Sequence, residues 1–93
     1  LLVGVCVLEL RLPHADSLKD KRRVIKSLRD RVRNRYNVSV AEVDHQDHHK
    51  LATLGLAMVC GEAEPIQRVF DEIVRTLDGQ VEVELLSHRV EFY

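Results

Sequence analysis

Residues Ser17–Tyr36, SLKDKRRVIKSLRDRVRNRY, decide how the rest of the chain is read. Apolar residues fall at Leu18, Val24, Ile25, Leu28 and Val32, a spacing that puts them on one face of a helix. Ser17 suits the N-cap, where its hydroxyl accepts from a free amide of the first turn. Asp20, three residues on, has the position of a capping-box acid, although Glu or Gln fits that role better. No Gly or Pro interrupts the run, and Asn34 and Asn37 offer ends. Lys21 is the exception in the pattern: the helical wheel puts it among the apolar residues. It must extend past the sheet edge or meet a carboxylate.

Working outward, Leu1–Leu12 (LLVGVCVLELRL) reads as a strand apolar on both faces, ended by Pro13. After the helix, Val38–Asp44 is a second strand, and residues 45–49, HQDHH, form a polar hairpin connection. Leu51–Cys60 (LATLGLAMVC) is a third, strongly apolar strand ended by Gly61. Pro65, with Glu62 and Glu64, opens a second helix, whose stripe is Ile66, Val69, Phe70, Ile73, Val74 and Leu77. Gly79 has the composition of a residue just past a helix end. Val81–Phe92 is the last strand, and a break of parity at Leu85-Leu86 predicts a bulge.

The order β-α-β-β-α-β, with one apolar stripe per helix, predicts a single domain over residues 1–93 of the α+β class. It is a ferredoxin-like βαββαβ sandwich: a four-stranded antiparallel sheet with two helices on one face. Right-handed crossovers put the first and third strands in the centre. The end of the first strand, the start of the first helix and the end of the second strand then share one edge. Lys21 or Arg22 is expected to meet Asp44 or Asp47 there. The bland reading is a structural ion pair; the alternative is a small polar binding site.

The 93 residues carry a formal net charge of −1, which conceals a strong polarisation. Lys19–Arg35 holds nine Lys/Arg against two Asp, a local net of +7. The remainder holds five against thirteen Asp/Glu, a net of −8. Opposite the apolar stripe stand Lys19, Arg23, Lys26 and Arg33, flanked by Arg22 and Arg29. Such a field can steer a polyanion even when the total charge is slightly negative. With Lys21, these seven are the candidate nucleic-acid-binding residues; the bland reading is a solvated helix face. The two central strands contain no Phe, Tyr or Trp, so base stacking on the sheet is not expected and contact should run through phosphate and shape.

Other chemistry finds little support. The sequence has no Gly-rich phosphate loop, nucleophile elbow or HExxH, and no catalytic residue or cofactor is expected. Ser17, Ser27, Ser39 and Ser87 have no evident base partner. Asp44-His45-Gln46-Asp47-His48-His49 offers ligand types without a recognised metal spacing, so a polar turn is the better reading and no metal is expected. Cys6 and Cys60 sit in apolar runs without CxxC spacing and read as free thiols. No apolar run is long enough to span a bilayer. The N-terminal run lacks a basic leader and is not expected to be a signal peptide, and the missing initiator Met implies absent leading residues. Val3, Val5 and Val7 leave one sheet face apolar, for which a second copy or a terminal segment is the expected cover.

SLKDKRRVIKSLRDRVRNRYNVSVAEVDHQD and the flanking LLVGVCVLELRLP together resemble the YlxP-like family, a bacterial domain-of-unknown-function family. The similarity covers essentially the whole chain, with SLKDKR and NVSVAEVDHQD the most specific segments. It implies a ferredoxin-like fold, a cytosolic (cytoplasmic) bacterial protein and no established catalytic residues. Genes of the family tend to lie among translation and ribosome-maturation factors, which implies an RNA-related role. Where the family pattern has a hydrophobic or aromatic pair after HQD, this chain has His48-His49, so any metal role there would be peculiar to it. The sequence therefore leads to a non-enzymatic RNA- or ribosome-associated protein, forming a homodimer through the open sheet face. The alternative is an oligomeric interaction module whose basic helix meets an acidic protein partner.

Overall fold

Strand β1 (Leu2–Arg11) is followed by helix α1 (Leu18–Arg35), strands β2 (Ser39–Asp44) and β3 (Leu51–Cys60), helix α2 (Ala63–Asp78) and strand β4 (Glu84–Phe92). The computed structural model describes all of residues 1–93. The sheet order is β2-β3-β1-β4, with every neighbouring pair antiparallel. This is the expected βαββαβ sandwich, with β1 and β3 in the centre.

Alternation along the strands builds the core. Cys6, Leu8 and Leu10 of β1, Ala52, Leu54 and Leu56 of β3, and Val40 of β2 point to the helix side and are buried. Val24, Ile25 and Leu28 of α1 meet them, as do Ile66, Phe70, Ile73 and Leu77 of α2. α2 can settle deeply because Gly4 lacks a side chain: a Cβ there would lie 2.2 Å from Ile66 Cγ2 and 3.1 Å from Phe70 Cε2. Burial pushes the Cys6 thiol up to about 11, with the charge of Asp71 adding to it, and Cys6 and Cys60 are both free.

Local signals act where their chemistry predicts, with two adjustments. Ser17 Oγ accepts from Asp20 N at 3.1 Å, closing the N-cap of α1. The Asp20 carboxylate accepts from Asp16 N at 3.1 Å, one residue earlier than in a capping box. Gly79 caps α2 with φ −88°, so it ends the helix without the left-handed geometry for which Gly is selected. The last strand begins at Glu84, later than the apolar pattern from Val81 suggests. The bulge predicted at Leu85-Leu86 is present: Glu9 pairs with Ser87 and Leu10 with Leu85, leaving Leu86 as the extra residue. A second bulge was not anticipated. In β2, Glu42 faces Leu54 and Asp44 faces Thr53, leaving Val43 unpaired.

Candidate nucleic-acid interface

The first turn of α1 carries Lys21 into the protein, where it is 1% exposed. Its Nζ donates to the carbonyls of His45 at 2.6 Å, His48 at 2.8 Å and Leu51 at 2.6 Å. An ammonium has three protons, and these three acceptors take them all. Glu42 Oε2, 2.7 Å from Nζ, is therefore held by charge and receives no hydrogen bond. The cation neutralises a carboxylate and ties together three points of the β2–β3 hairpin. Lys50 reinforces the same edge by donating to Pro13 O at 2.9 Å.

This corrects the expected pairing. The shared edge forms as predicted, but the partner is Glu42, and neither Asp44 nor Asp47 takes part. The Val43 bulge is the reason. Glu42 stays on the helix side with Val40, whereas Asp44 is turned to the opposite face opposite Thr53. Asp44 Oδ1 instead accepts from His45 N at 2.7 Å, beside the left-handed His45 (φ 61°) that turns the hairpin. Lys21 is also corrected as a nucleic-acid contact: an enclosed ammonium with every proton engaged is withdrawn from any polyanion outside.

The other six candidates stand in a different environment. Lys19, Arg22, Arg23, Lys26 and Arg33 are exposed, and Arg29 is half-buried. Arg22, Lys26, Arg29 and Arg33 follow a spacing of four, three and four residues, which makes one stripe along the helix over roughly 17 Å. The stripe flanks β2, because Arg33 donates to Val40 O at 3.1 Å. Lys19, Arg22, Arg29 and Arg33 have no carboxylate within ion-pair distance, while Lys26 meets Asp30 at 2.8 Å and Arg23 meets Glu82 at 3.3 Å. Both pairs are solvent-exposed and of the weak kind that a phosphate can displace. The local field is visible at Asp30: the hydrogen bond from Lys26, joined by the charges of Lys26, Arg29 and Arg33 and opposed by desolvation, holds its carboxyl below the ordinary range.

The polar hairpin has conventional turn contacts: His48 N donates to His45 O at 3.0 Å, and Lys50 N to His48 Nδ1 at 3.1 Å. On the sheet face away from the helices, β1 presents Val3, Val5 and Val7, partly buried, against Val59, Ala57 and Gly55 of β3. No element of the chain covers this face. Neither helix is long and apolar enough to cross a membrane.

A family model described as "Protein of unknown function (DUF503)" matches residues 3–90. The chain belongs to the DUF503 family. It is 29% identical to "Uncharacterized protein YlxP" of Bacillus subtilis (strain 168), with 99% of this chain and 100% of the relative aligned. Among solved structures it resembles the de novo designed protein Foldit4, at TM-score 0.56 and 18% identity, covering all of this chain and 97% of that one. It also resembles the de novo designed protein LFR1 1 with ferredoxin fold, at TM-score 0.51 and 16% identity, covering all of this chain and 83% of that one. These two likenesses concern the fold.

Two cations of this DUF503 member were counted in the charge of the helix but not among its candidate contacts. Arg31 and Arg35 lie on the far flank of α1, facing α2. Arg31 donates to the Gln80 side chain at 3.2 Å, and the Arg35 guanidinium sits 5.5 Å from the Tyr36 ring centre. Their angular position was readable from the helical wheel. Their surroundings were not, because those depend on how far α2 stands from α1.

Proposed function

We propose that the protein is a non-catalytic RNA- or ribosome-binding module whose contact surface is the α1 stripe of Lys19, Arg22, Arg23, Lys26, Arg29 and Arg33. One observation supports the reading: four of the six cations have no carboxylate within ion-pair distance, in a chain whose remaining residues are strongly acidic. The central strands supply no aromatic platform, so the bound form is recognised through its phosphates and shape.

The test is retention of a single-stranded oligouridylate of about 20 nucleotides as salt is raised. Four to six phosphate contacts at about 0.7 each give a slope of log K against log salt of about −3 to −4. Lys19→Glu/Arg22→Glu/Lys26→Glu should abolish retention while leaving the fold intact. Unchanged retention in that variant overturns the proposal. Retention of polyglutamate in place of RNA would point to the other reading, an acidic protein partner.

A second copy is the proposed cover for the valine face. The pairs Arg11–Glu84 (2.5 Å) and Arg89–Glu91 (3.4 Å) supply both signs of charge, which a two-fold interface can exchange between copies. Dimerisation would also double the number of cationic stripes offered to one RNA. Val5→Glu should convert the dimer to a monomer in sedimentation velocity. A wild-type monomer at high concentration would refute the assembly and leave the RNA proposal standing.

A further inference from the structure

The sheet face that no helix covers stands at two heights. On β1 it carries Val3, Val5 and Val7, and on β4 the long side chains of Glu91 and Arg89, in register with Val5 and Val7. On β3 it carries Ala57 and Gly55, and on β2 Ser39 and Ala41, in register with them. The tall and low halves meet along the seam between β1 and β3, where Val5 pairs with Ala57 and Val7 with Gly55. Val43 leans over Gly55, its Cγ1 3.1 Å from the place a Cβ there would take, and closes the low half at one end. Val59, 60% exposed, stands at the other. Between them lies a shelf over Ser39, Ala41 and Ala57.

A stepped apolar face is complementary to itself when turned by half a turn about the step. A flat partner resting on the valines would leave the low half without contacts. A two-fold axis running across the strands would set valines on valines and hold the two shelves apart. An axis along the β1–β3 seam instead sets each tall half on the other copy's low half, in a closed, self-complementary contact. The charges agree with this arrangement. Arg89 and Glu91 lie 3.4 Å apart, so the tall half approaches the shelf without an unpaired charge. Glu91 also arrives in the row of Ser39, whose hydroxyl can donate to it.

We propose that two copies of the chain pair through this face with the two-fold axis along the β1–β3 seam, Val5 of each seated over Ala57 of the other. The inference rests on the reading that a second copy covers the valine face, and it adds how the copies fit. Four strands about 4.8 Å apart, over about seven residues of about 3.3 Å each, give about 450 Å² per copy. This is well below the roughly 800 Å² per partner of a standard interface, so the dimer is a weak, reversible one in the micromolar range.

Sedimentation velocity from about 1 to 500 μM compares the dissociation constants of the wild-type chain and three variants. Val5 and Ala57 both lie outside the buried core, and valine suits a strand, so the variants keep the fold. Ala57→Val enlarges the apolar surface, yet it should weaken the dimer at least about tenfold, because the shelf is filled twice per dimer. Val5→Ala should weaken it by at least about tenfold as well, by emptying the same contact. Val5→Ala/Ala57→Val exchanges tall for low across the seam and should return the dissociation constant to within about threefold of wild type. A wild-type monomer throughout the range overturns the inference together with the reading it rests on. A wild-type dimer that Ala57→Val tightens or leaves unchanged, or a double variant as weak as the single ones, overturns the seam axis alone and leaves the second copy standing as the cover.

Discussion

The two helices cover one sheet but are seated by different physics. α2 presses an almost wholly apolar stripe onto β1 and can do so because Gly4 leaves room for Ile66 and Phe70. α1 is anchored at its first turn by a buried ammonium, and its outer surface is crowded with cations. The α2 seat is a matter of shape, tolerant of salt and pH. The α1 seat is a matter of electrostatics and hydrogen bonds, with the β2–β3 hairpin as its receiving half. Lys21 attaches α1 firmly at its first turn without adding to its exposed charge.

Removing the ammonium tests the contrast most strongly. Lys21→Met keeps the length of the side chain but leaves three carbonyls and the Glu42 carboxylate without a partner. It should cost about 3–5 kcal/mol in denaturant unfolding, whereas Arg22→Met, one residue on and exposed, should change stability by no more than about 0.5 kcal/mol. Similar losses at both positions would remove the distinction between anchor and ridge. The matching test on α2 is Gly4→Ala, whose added methyl must displace Ile66. The expected loss is about 1–3 kcal/mol, independent of salt, and a neutral result would show that α2 is not seated by close approach. The smallest effect concerns the helix starts. Ser17→Ala should lose about 1 kcal/mol with its cap hydrogen bond. Glu62 caps α2 without a side-chain hydrogen bond, so Glu62→Ser should gain up to about 1 kcal/mol. Thermal melts of the two single variants, moving in opposite directions, check both.

The elements, their order and the sheet topology were legible because apolar period and punctuation agree along the whole chain. The Leu86 bulge was legible too, since a break of parity in an otherwise alternating strand leaves a trace. The Val43 bulge left none: one extra Val in a short strand looks like ordinary alternation. That single residue moved Asp44 to the wrong face and made Glu42 the partner of Lys21. The continuing pattern Val38, Val40, Glu42 was the available signal, as it puts a carboxylate in line with two inward-facing valines. The cations of α1 were readable as a set, but their alignment was not: the structure lines up Arg22, Lys26, Arg29 and Arg33, where the wheel centred the face on Lys19, Arg23, Lys26 and Arg33, and it encloses Lys21.

Both outer strands of the sheet carry an irregularity, Val43 in β2 and Leu86 in β4. A bulge twists a border strand and spoils the regular row of amides and carbonyls that an incoming strand would need. Lateral growth into a continuous ribbon is thereby discouraged at each margin. The same two single-residue insertions that complicate the register thus guard both open edges of the sheet.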